Sequence, residues 1–366
     1  MAEVKKNRRV AVAMSGGVDS SLTAALLKEE GYEVIGLTML LWEYKPEPEG
    51  ISRRCCAPED IQDARRVADQ IGIPHYVINL RQPFEEEIVA YFLKEYGHGR
   101  TPNPCIRCNE KIKFGLLLQQ AEALGAIALA TGHYARIVWQ ADKGRYTLWR
   151  GRDRQKDQSY FLFSLKQKQL QKILFPLGER SKEEVRQLAQ RFGLRVANKK
   201  ESQEVCFIPH KDYRRFLEEK LGQHIFSPGE IVDRQGKVLG THQGLYSYTI
   251  GQRRGLRVAA PHPYYVLSLD REKNRVVVGA EEELKARGLM VKEVNWISFS
   301  EPASELEVLV QIRYRHPGAQ AILQPLADGR VRVNFRIPQK AVTPGQAAVF
   351  YRGEEVIGGG WIEAAL

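Results

Sequence analysis

The chain has 366 residues, 43% hydrophobic and 27% charged, and its 55 Lys and Arg outnumber its 44 Asp and Glu to leave a formal net charge of +11. That length exceeds one ordinary core and predicts two or three domains, while no apolar run approaches the ~18 residues needed to cross a membrane. The opening MAEVKKNRRVAVAM lacks the cleavage-type ending of a secretory signal, so the expected location is cytoplasmic, and the basic excess leaves two readings open: a polyanionic partner or a solvated surface.

In chain order, Arg9 to Met14, Glu33 to Met39, His75 to Asn79 and Ile127 to Thr131 are short apolar runs. Ser21 to Glu30, Glu59 to Ile71, Phe84 to Tyr96 and Ile112 to Leu124 carry apolar residues at helical spacing. The alternation predicts an α/β fold, a parallel sheet with helices on both faces, whose ligands bind beyond the carboxyl ends of the strands. SKEE, Ser181 to Glu184, reads as a capping box opening a helix that reaches Phe192. After Asp212 a short helix, Tyr213 to Leu221, gives way to glycine-punctuated strands such as YYVLSLDREKNRVVVG, which predict a small β module. From about Met290 the alternation is cleaner. Val308, Val310, Ile312 and Tyr314 share one strand face and Gln311, Arg313 and Arg315 the other. Val331, Val333, Phe335 and Ile337 stand opposite Arg330, Arg332, Asn334 and Arg336. A closed barrel or sandwich with a basic outer surface follows, and the expected domains are 1–212, 213–288 and 289–366.

SGGVDS, Ser15 to Ser20, joins the first strand-like run to the first helical one. Gly16 and Gly17 lack β-carbons, so backbone N–H groups there can approach an anion, and the helix beyond adds its positive end. Ser15, Ser20 and Ser21 offer hydroxyls, and Asp19 offers a carboxylate suited to Mg²⁺. The other reading, a tight turn in which Asp19 or Ser20 caps the helix, explains the strand-loop-helix setting less well. A Walker-type loop adds a lysine for γ-phosphoryl transfer, and SGGVDS has none. A grip made by backbone and hydroxyl groups suits a departing pyrophosphate: ATP cleaved between its α and β phosphates, with AMP passed to a substrate oxygen.

The five cysteines, Cys55, Cys56, Cys105, Cys108 and Cys206, are odd in number, which points to reactive or metal-binding thiols rather than a disulfide framework. In TPNPCIRC, Pro102 and Pro104 stiffen the loop, and the periodicity from Ile112 places Cys108 just before a helix amino terminus, where a thiol pKa falls to ~3.5–7.5. A buried small hydrophobe is the alternative, best suited to Cys55 and Cys56; a zinc site lacks a second adjacent pair.

SGGVDS resembles the pyrophosphate-loop motif of the adenylating N-type ATPases, which include GMP synthetase, NAD synthetase, asparagine synthetase and several tRNA-modifying enzymes. Together with GLTMLLW, TPNPCIRCNEKIKFG, ATGHYAR, KDQSYFL, ESQEVCFIP, GLYSYTIGQRRGL, QIRYRH and TPGQAAVFY, in matching order over nearly the whole chain, the sequence resembles the tRNA-specific 2-thiouridylases. The resemblance implies an adenine nucleotide alpha hydrolase-like (PP-loop) domain, a central β domain and a C-terminal β barrel that helps hold tRNA. It implies a sulfurtransferase that uses ATP and Mg²⁺ to replace the C2 oxygen of the wobble uridine of tRNA, drawing on a sulfur-donor protein or sulfide source, with no membrane partner.

Carried across by the same resemblance, Ala13, Met14, Ser15, Gly16, Gly17, Val18, Asp19 and Ser20 form the ATP loop, with Met39 and Gly132 near the adenosine. Asn103, Pro104 and Cys105 meet the target base. His133, Lys156, Asp157, Gln158, Arg313, Tyr314 and Gln346 contact the tRNA. Cys108 and Cys206 match the two essential cysteines, and with Asp19 and Cys105 they make up the expected catalytic set. The commoner family pattern has aspartate where Cys105 stands; there the second essential cysteine carries a persulfide whose outer sulfur attacks C2, and the first releases it. Three thiols here raise a different expectation, a [4Fe-4S] cluster on Cys105, Cys108 and Cys206 with one iron open. Two rivals remain: a ligase delivering nitrogen to a small molecule, which needs a glutaminase partner or an ammonia channel, and a non-catalytic RNA-binding protein. Any one exposed arginine is either a phosphate contact or a guard against edge pairing, and His133 is either a ligand-edge or a core histidine.

Overall fold

The computed structural model describes residues 8–42, 58–200, 205–208, 212–222, 227–259, 262–302 and 304–366; Cys55 and Cys56 lie outside them. Strands β1 (Arg9–Ala13), β2 (Glu33–Leu40), β3 (His75–Asn79) and β4 (Ala128–Ala130) form where the apolar runs predict them. A hairpin of β5 (Ala135–Gln140) and β6 (Arg145–Arg150) follows, and β7 (Ile173–Leu174) returns to complete a five-stranded parallel sheet in the order β3-β2-β1-β4-β7. Val10 and Val12 on central β1 pack beneath the helices Val18–Glu29, Pro58–Ile71 and Lys182–Arg191, whereas Ala11 faces the cluster that holds Ile88, Phe92 and Phe114. Both faces are covered, which is why these strands are apolar throughout. Val12 is level with Ala130 and Ala13 with Leu37, so β1, β2 and β4 open at one edge, where SGGVDS and Thr131–His133 emerge.

Helices differ from the sequence reading in one place that matters. The predicted Ile112–Leu124 helix begins at Pro104 and runs continuously to Ala123, with a π-helical stretch over Cys108–Leu117. Asn103 is extended and Pro104 takes the first helical position, where a missing N–H costs nothing. Cys105, not Cys108, therefore occupies the first turn.

The helix Tyr213–Leu221 forms as predicted, its Asp212 Oδ1 accepting from the Arg215 N–H at 3.1 Å, and Phe216 and Leu217 bury into the first domain's core. A four-stranded sheet follows, built of β8 (Gly229–Val232), β9 (Val238–His242), β10 (Tyr265–Asp270) and β11 (Arg275–Gly279) in the order β10-β11-β8-β9. The last six strands, β12 (Lys285–Trp296), β13 (Leu306–Gln311), β14 (Ala319–Pro325), β15 (Val331–Lys340), β16 (Ala347–Arg352) and β17 (Glu355–Ala365), pair in the order β12-β15-β14-β13-β16-β17. β12 also pairs with β17, and this closes the barrel.

Three features of the barrel depart from the alternation. β13 ends at Gln311, so Tyr314 stands in a turn, and Gln311 is buried with its Nε2 donating to the Tyr314 carbonyl at 2.6 Å. Ile337 is 73% exposed although it continues the inward series. The β5–β6 hairpin, absent from the sequence-derived elements, joins β17 through Trp149 opposite Glu355, so the barrel sheet recruits a piece of the first domain.

Candidate active site

Gly16 has φ +69°, and a β-carbon there would stand 2.2 Å from the Asp60 carbonyl oxygen, so the first turn of SGGVDS admits only glycine. The Ser15 N–H donates to Ser20 Oγ at 3.1 Å and that hydroxyl donates to the Gly17 carbonyl at 3.2 Å, folding the loop over the start of the helix Val18–Glu29. Gly17 is extended at the N-cap and contributes no side-chain cap, and Asp19 does not cap the helix either. The Thr131–His133 segment lies directly on this loop: a β-carbon on Gly132 would come within 2.8 Å of Asp19 Cβ and 2.9 Å of the Ser20 nitrogen. Met14 and Met39 are buried at the ends of β1 and β2 beside it, and the Thr38 hydroxyl donates to the Met14 carbonyl at 2.7 Å.

Two lysines that the sequence reading did not single out complete the site. Lys182 Nζ lies 2.7 and 2.8 Å from the two oxygens of Asp19, which also accepts from the Tyr134 hydroxyl at 2.8 Å. Lys199 Nζ donates to the Gly16 carbonyl at 2.9 Å and to Asp60 Oδ1 and Asp63 Oδ2, each at 2.6 Å, clamping the loop to the helix Pro58–Ile71. Burial, the largest single influence, acts to lower the Lys199 pKa, but the hydrogen bonds to Asp60 and Asp63 and the charges of both carboxylates together raise it. Lys182 lies inside SKEE, whose pattern signals only a helix cap, and that cap is present, with the Glu184 N–H donating to Ser181 Oγ at 3.2 Å.

The thiols sit differently from one another. Cys105 is exposed, Cys108 is buried in the core that contains Phe92 and Ile106, and Cys206 is intermediate and packs against that core. The expected position of Cys108 just before a helix amino terminus is therefore taken by Cys105, and Cys108 lies a turn further in. Among the described residues no three His, Cys, Asp or Glu side chains are grouped to hold a metal ion. Cys105, Cys108 and Cys206 are thus not drawn together as a three-thiol group in this structure.

Barrel residues hold TPNPCIRC from both sides. Gln346 Nε2 donates to the Thr101 carbonyl at 2.9 Å and the Thr101 N–H to the Pro344 carbonyl at 3.0 Å. Arg107 donates to Glu293 Oε2 at 2.8 Å and Glu110 Oε2 at 3.2 Å, its guanidinium 4.8 Å from the Trp361 ring centre and 5.2 Å from that of Tyr91.

The residues expected to meet tRNA divide into two sets. Asp157 is buried, and its carboxylate accepts from the Gly151 N–H, the Ser159 N–H and hydroxyl, and Arg150 Nη1, at 2.9 to 3.1 Å. Gln158 Oε1 accepts from the Tyr134 N–H at 3.0 Å, tying KDQSYFL to ATGHYAR, with half-buried Lys156 beside it. His133 Nδ1 lies 2.7 Å from the Thr131 hydroxyl, and its ring packs near Phe114 and Phe175. Burial, with the Lys113 charge added, pushes its pKa well below the ordinary value, so the ring is neutral. In contrast Arg313 is exposed and Tyr314 is half-buried against Phe161, ring centres 4.5 Å apart. Arg330 and Arg336 on the barrel's outer face pair with Glu363 and Glu307, which suits a solvated face for those two.

Residues 8–210 match the family described as tRNA methyl transferase HUP domain, 214–280 the tRNA methyl transferase PRC-barrel domain and 286–362 the aminomethyltransferase beta-barrel domain. A Geobacter metallireducens protein named tRNA-specific 2-thiouridylase MnmA is 56% identical over 99% of this chain and 98% of its own length. Proteins of that name from Heliobacterium modesticaldum and Geotalea uraniireducens are each 54% identical, over 96% and 100% of this chain and 92% and 98% of their own lengths. With phosphate loop, thiol helix and closing barrel all inside the matched span, the chain belongs to the tRNA-specific 2-thiouridylase family.

Proposed function

We propose that the protein catalyses ATP-dependent 2-thiolation of the wobble uridine of tRNA. The observation that carries this reading is the joining of a lysine-free phosphate loop and a two-thiol helix in one domain, with the helix gripped by a barrel through Arg107 and Gln346. The family descriptions speak of methyl transfer and the named relatives of thiolation. A loop shaped for a departing pyrophosphate favours thiolation, because methyl transfer to a base has no use for α–β cleavage of ATP.

A carbonyl oxygen is a poor leaving group, and adenylation of the C2 oxygen converts it into AMP. Ser15, Gly16, Gly17 and Ser20 bind the phosphates, with Met39 and Gly132 beside the adenosine and Asp19 as the residue that would hold Mg²⁺, which neutralises phosphate charge when bound. A persulfide on Cys206, formed when its thiolate takes the outer sulfur of a donor protein's persulfide and releases the donor's thiol, attacks C2 and AMP departs. Cys108 then attacks the inner sulfur, leaving the 2-thio base and a Cys108–Cys206 disulfide that a thiol reductant reopens. Both cysteines border one apolar cluster, which suits that exchange. Asn103, Pro104 and Cys105 would frame the base, and His133, Lys156, Arg313, Tyr314 and Gln346 the tRNA around it. No step is assigned to iron. No helix among the described residues is long and apolar enough to cross a membrane, and a cytoplasmic location is proposed together with the tRNA substrate.

The test is pyrophosphate release on mixing ATP with tRNA, in the wild type and in Asp19→Ala. The wild type should release pyrophosphate only when tRNA is present, and the variant should bind tRNA without releasing it. Binding of tRNA with no release by the wild type would favour the RNA-binding rival, and release driven by ammonia and a small molecule the ligase.

A further inference from the structure

The ion pair between Lys182 and Asp19 joins residues far apart in sequence, and the lysine side chain is only 11% exposed against 29% for the aspartate. The Tyr134 ring flanks the ammonium at 5.7 Å while its hydroxyl donates to Asp19. Lys182 is the first residue of the helix Lys182–Arg191. Its backbone N–H donates to Asp153 Oδ2 at 2.9 Å, and the Ser181–Glu184 box fixes the helix start. A cation held this firmly on the second residue of the helix that follows Gly17 is at the mouth of a phosphate loop whose own sequence supplies none.

Resting on the reading that SGGVDS binds ATP for α–β cleavage, we propose that Lys182 is the phosphate lysine of this loop, parked on Asp19 in the free protein and drawn onto the β and γ phosphates when ATP enters. The phosphates carry more charge than one carboxylate, so they compete successfully for the ammonium, and Asp19 is released toward a divalent cation. In the step that follows, the uracil O2 lone pair forms a bond to the α phosphorus. The bridging α–β bond breaks with its electron pair going to pyrophosphate, and the N3 proton leaves to solvent. Lys182 neutralises charge gathering on the β phosphate. A fixed donor aimed at developing charge in a shielded site is the arrangement that electrostatic catalysis needs. The sequence hides it because the lysine arrives from another helix instead of from the loop.

The experiment compares ATP and AMP affinities, by calorimetry on the full chain, for the wild type, Lys182→Gln and Lys182→Arg. Gln keeps a donor to Asp19 and loses the charge; it should weaken ATP binding about ten- to hundred-fold while leaving AMP binding unchanged. Arg keeps the charge and should retain most of the preference for ATP. Lys182→Met serves if the Gln variant does not fold. An uncharged variant that folds and keeps the wild-type ratio of ATP to AMP affinity overturns the proposal. A wild type that binds no ATP overturns the adenylation reading instead.

Discussion

Arg107, which stands between Cys105 and Cys108, donates to Glu293 of β12 across 2.8 Å, and this contact fastens the thiol helix to the barrel. Glu293 adopts φ +50° at an irregularity in the β12–β17 pairing, so the barrel strand bends at the point of contact. Glu293→Ala should cost little stability, about 0–1 kcal/mol for a partly exposed pair, but should loosen the helix. Alkylation followed by mass spectrometry should find Cys108 modified faster than in the wild type, with exposed Cys105 unchanged; equal Cys108 rates would make the contact incidental.

Gly16→Ala should abolish pyrophosphate release. Its positive φ alone costs an alanine about 1–2 kcal/mol, and the approach to the Asp60 carbonyl forces the loop to move. Nucleotide binding measured beside thermal unfolding should report a loss of ATP affinity larger than the modest fall in melting temperature.

Asp157 and Arg313, expected together as tRNA contacts, should separate experimentally. Asp157→Ala leaves Arg150, whose side chain is only 12% exposed, without its buried carboxylate and should destabilise the fold by about 3–5 kcal/mol. Arg313→Ala should leave the unfolding curve alone, weaken tRNA binding and lower its salt dependence by about one phosphate contact. An unchanged salt slope would return Arg313 to the solvated face.

The contrast between these two residues marks what the sequence could convey. The parallel sheet was legible because β1 to β4 are short apolar runs separated by helical periodicity, and SGGVDS was legible because glycine pairs after a strand have few other uses. Nothing local announces that Lys182 and Lys199 fold back onto the phosphate loop, or that Trp149 pairs with Glu355, since each joins segments far apart in the chain. The start of the thiol helix was missed because Pro104, Cys105 and Arg107 lack apolar periodicity; proline at the first helical position was the available signal. Asp157 reads as an exposed polar residue within KDQ, and only its four donors reveal a structural role.

Acid should destabilise the fold through its histidines. Burial lowers the pKa of His133, and also those of His75, His242 and His316, below the ordinary 6.5. Below that pH the unfolded chain takes up protons the folded chain refuses, so the stabilisation is complete above 6.5 and is lost as pH falls toward the folded values. The urea midpoint should drop between about pH 7.5 and about pH 5.5, and His133→Gln should flatten that drop. A midpoint that rises on acidification would reverse the assignment of His133 as a buried neutral ring.

Thiolation itself is read by mass spectrometry of nucleosides from tRNA that lacks wobble thiolation, after incubation with the purified protein, ATP and a persulfide donor. 2-Thiouridine should appear at the wobble position, formed only with ATP and lost in Cys108→Ser and in Cys206→Ser. An unmodified wobble uridine, or a methylated base in place of the thiolated one, would contradict it.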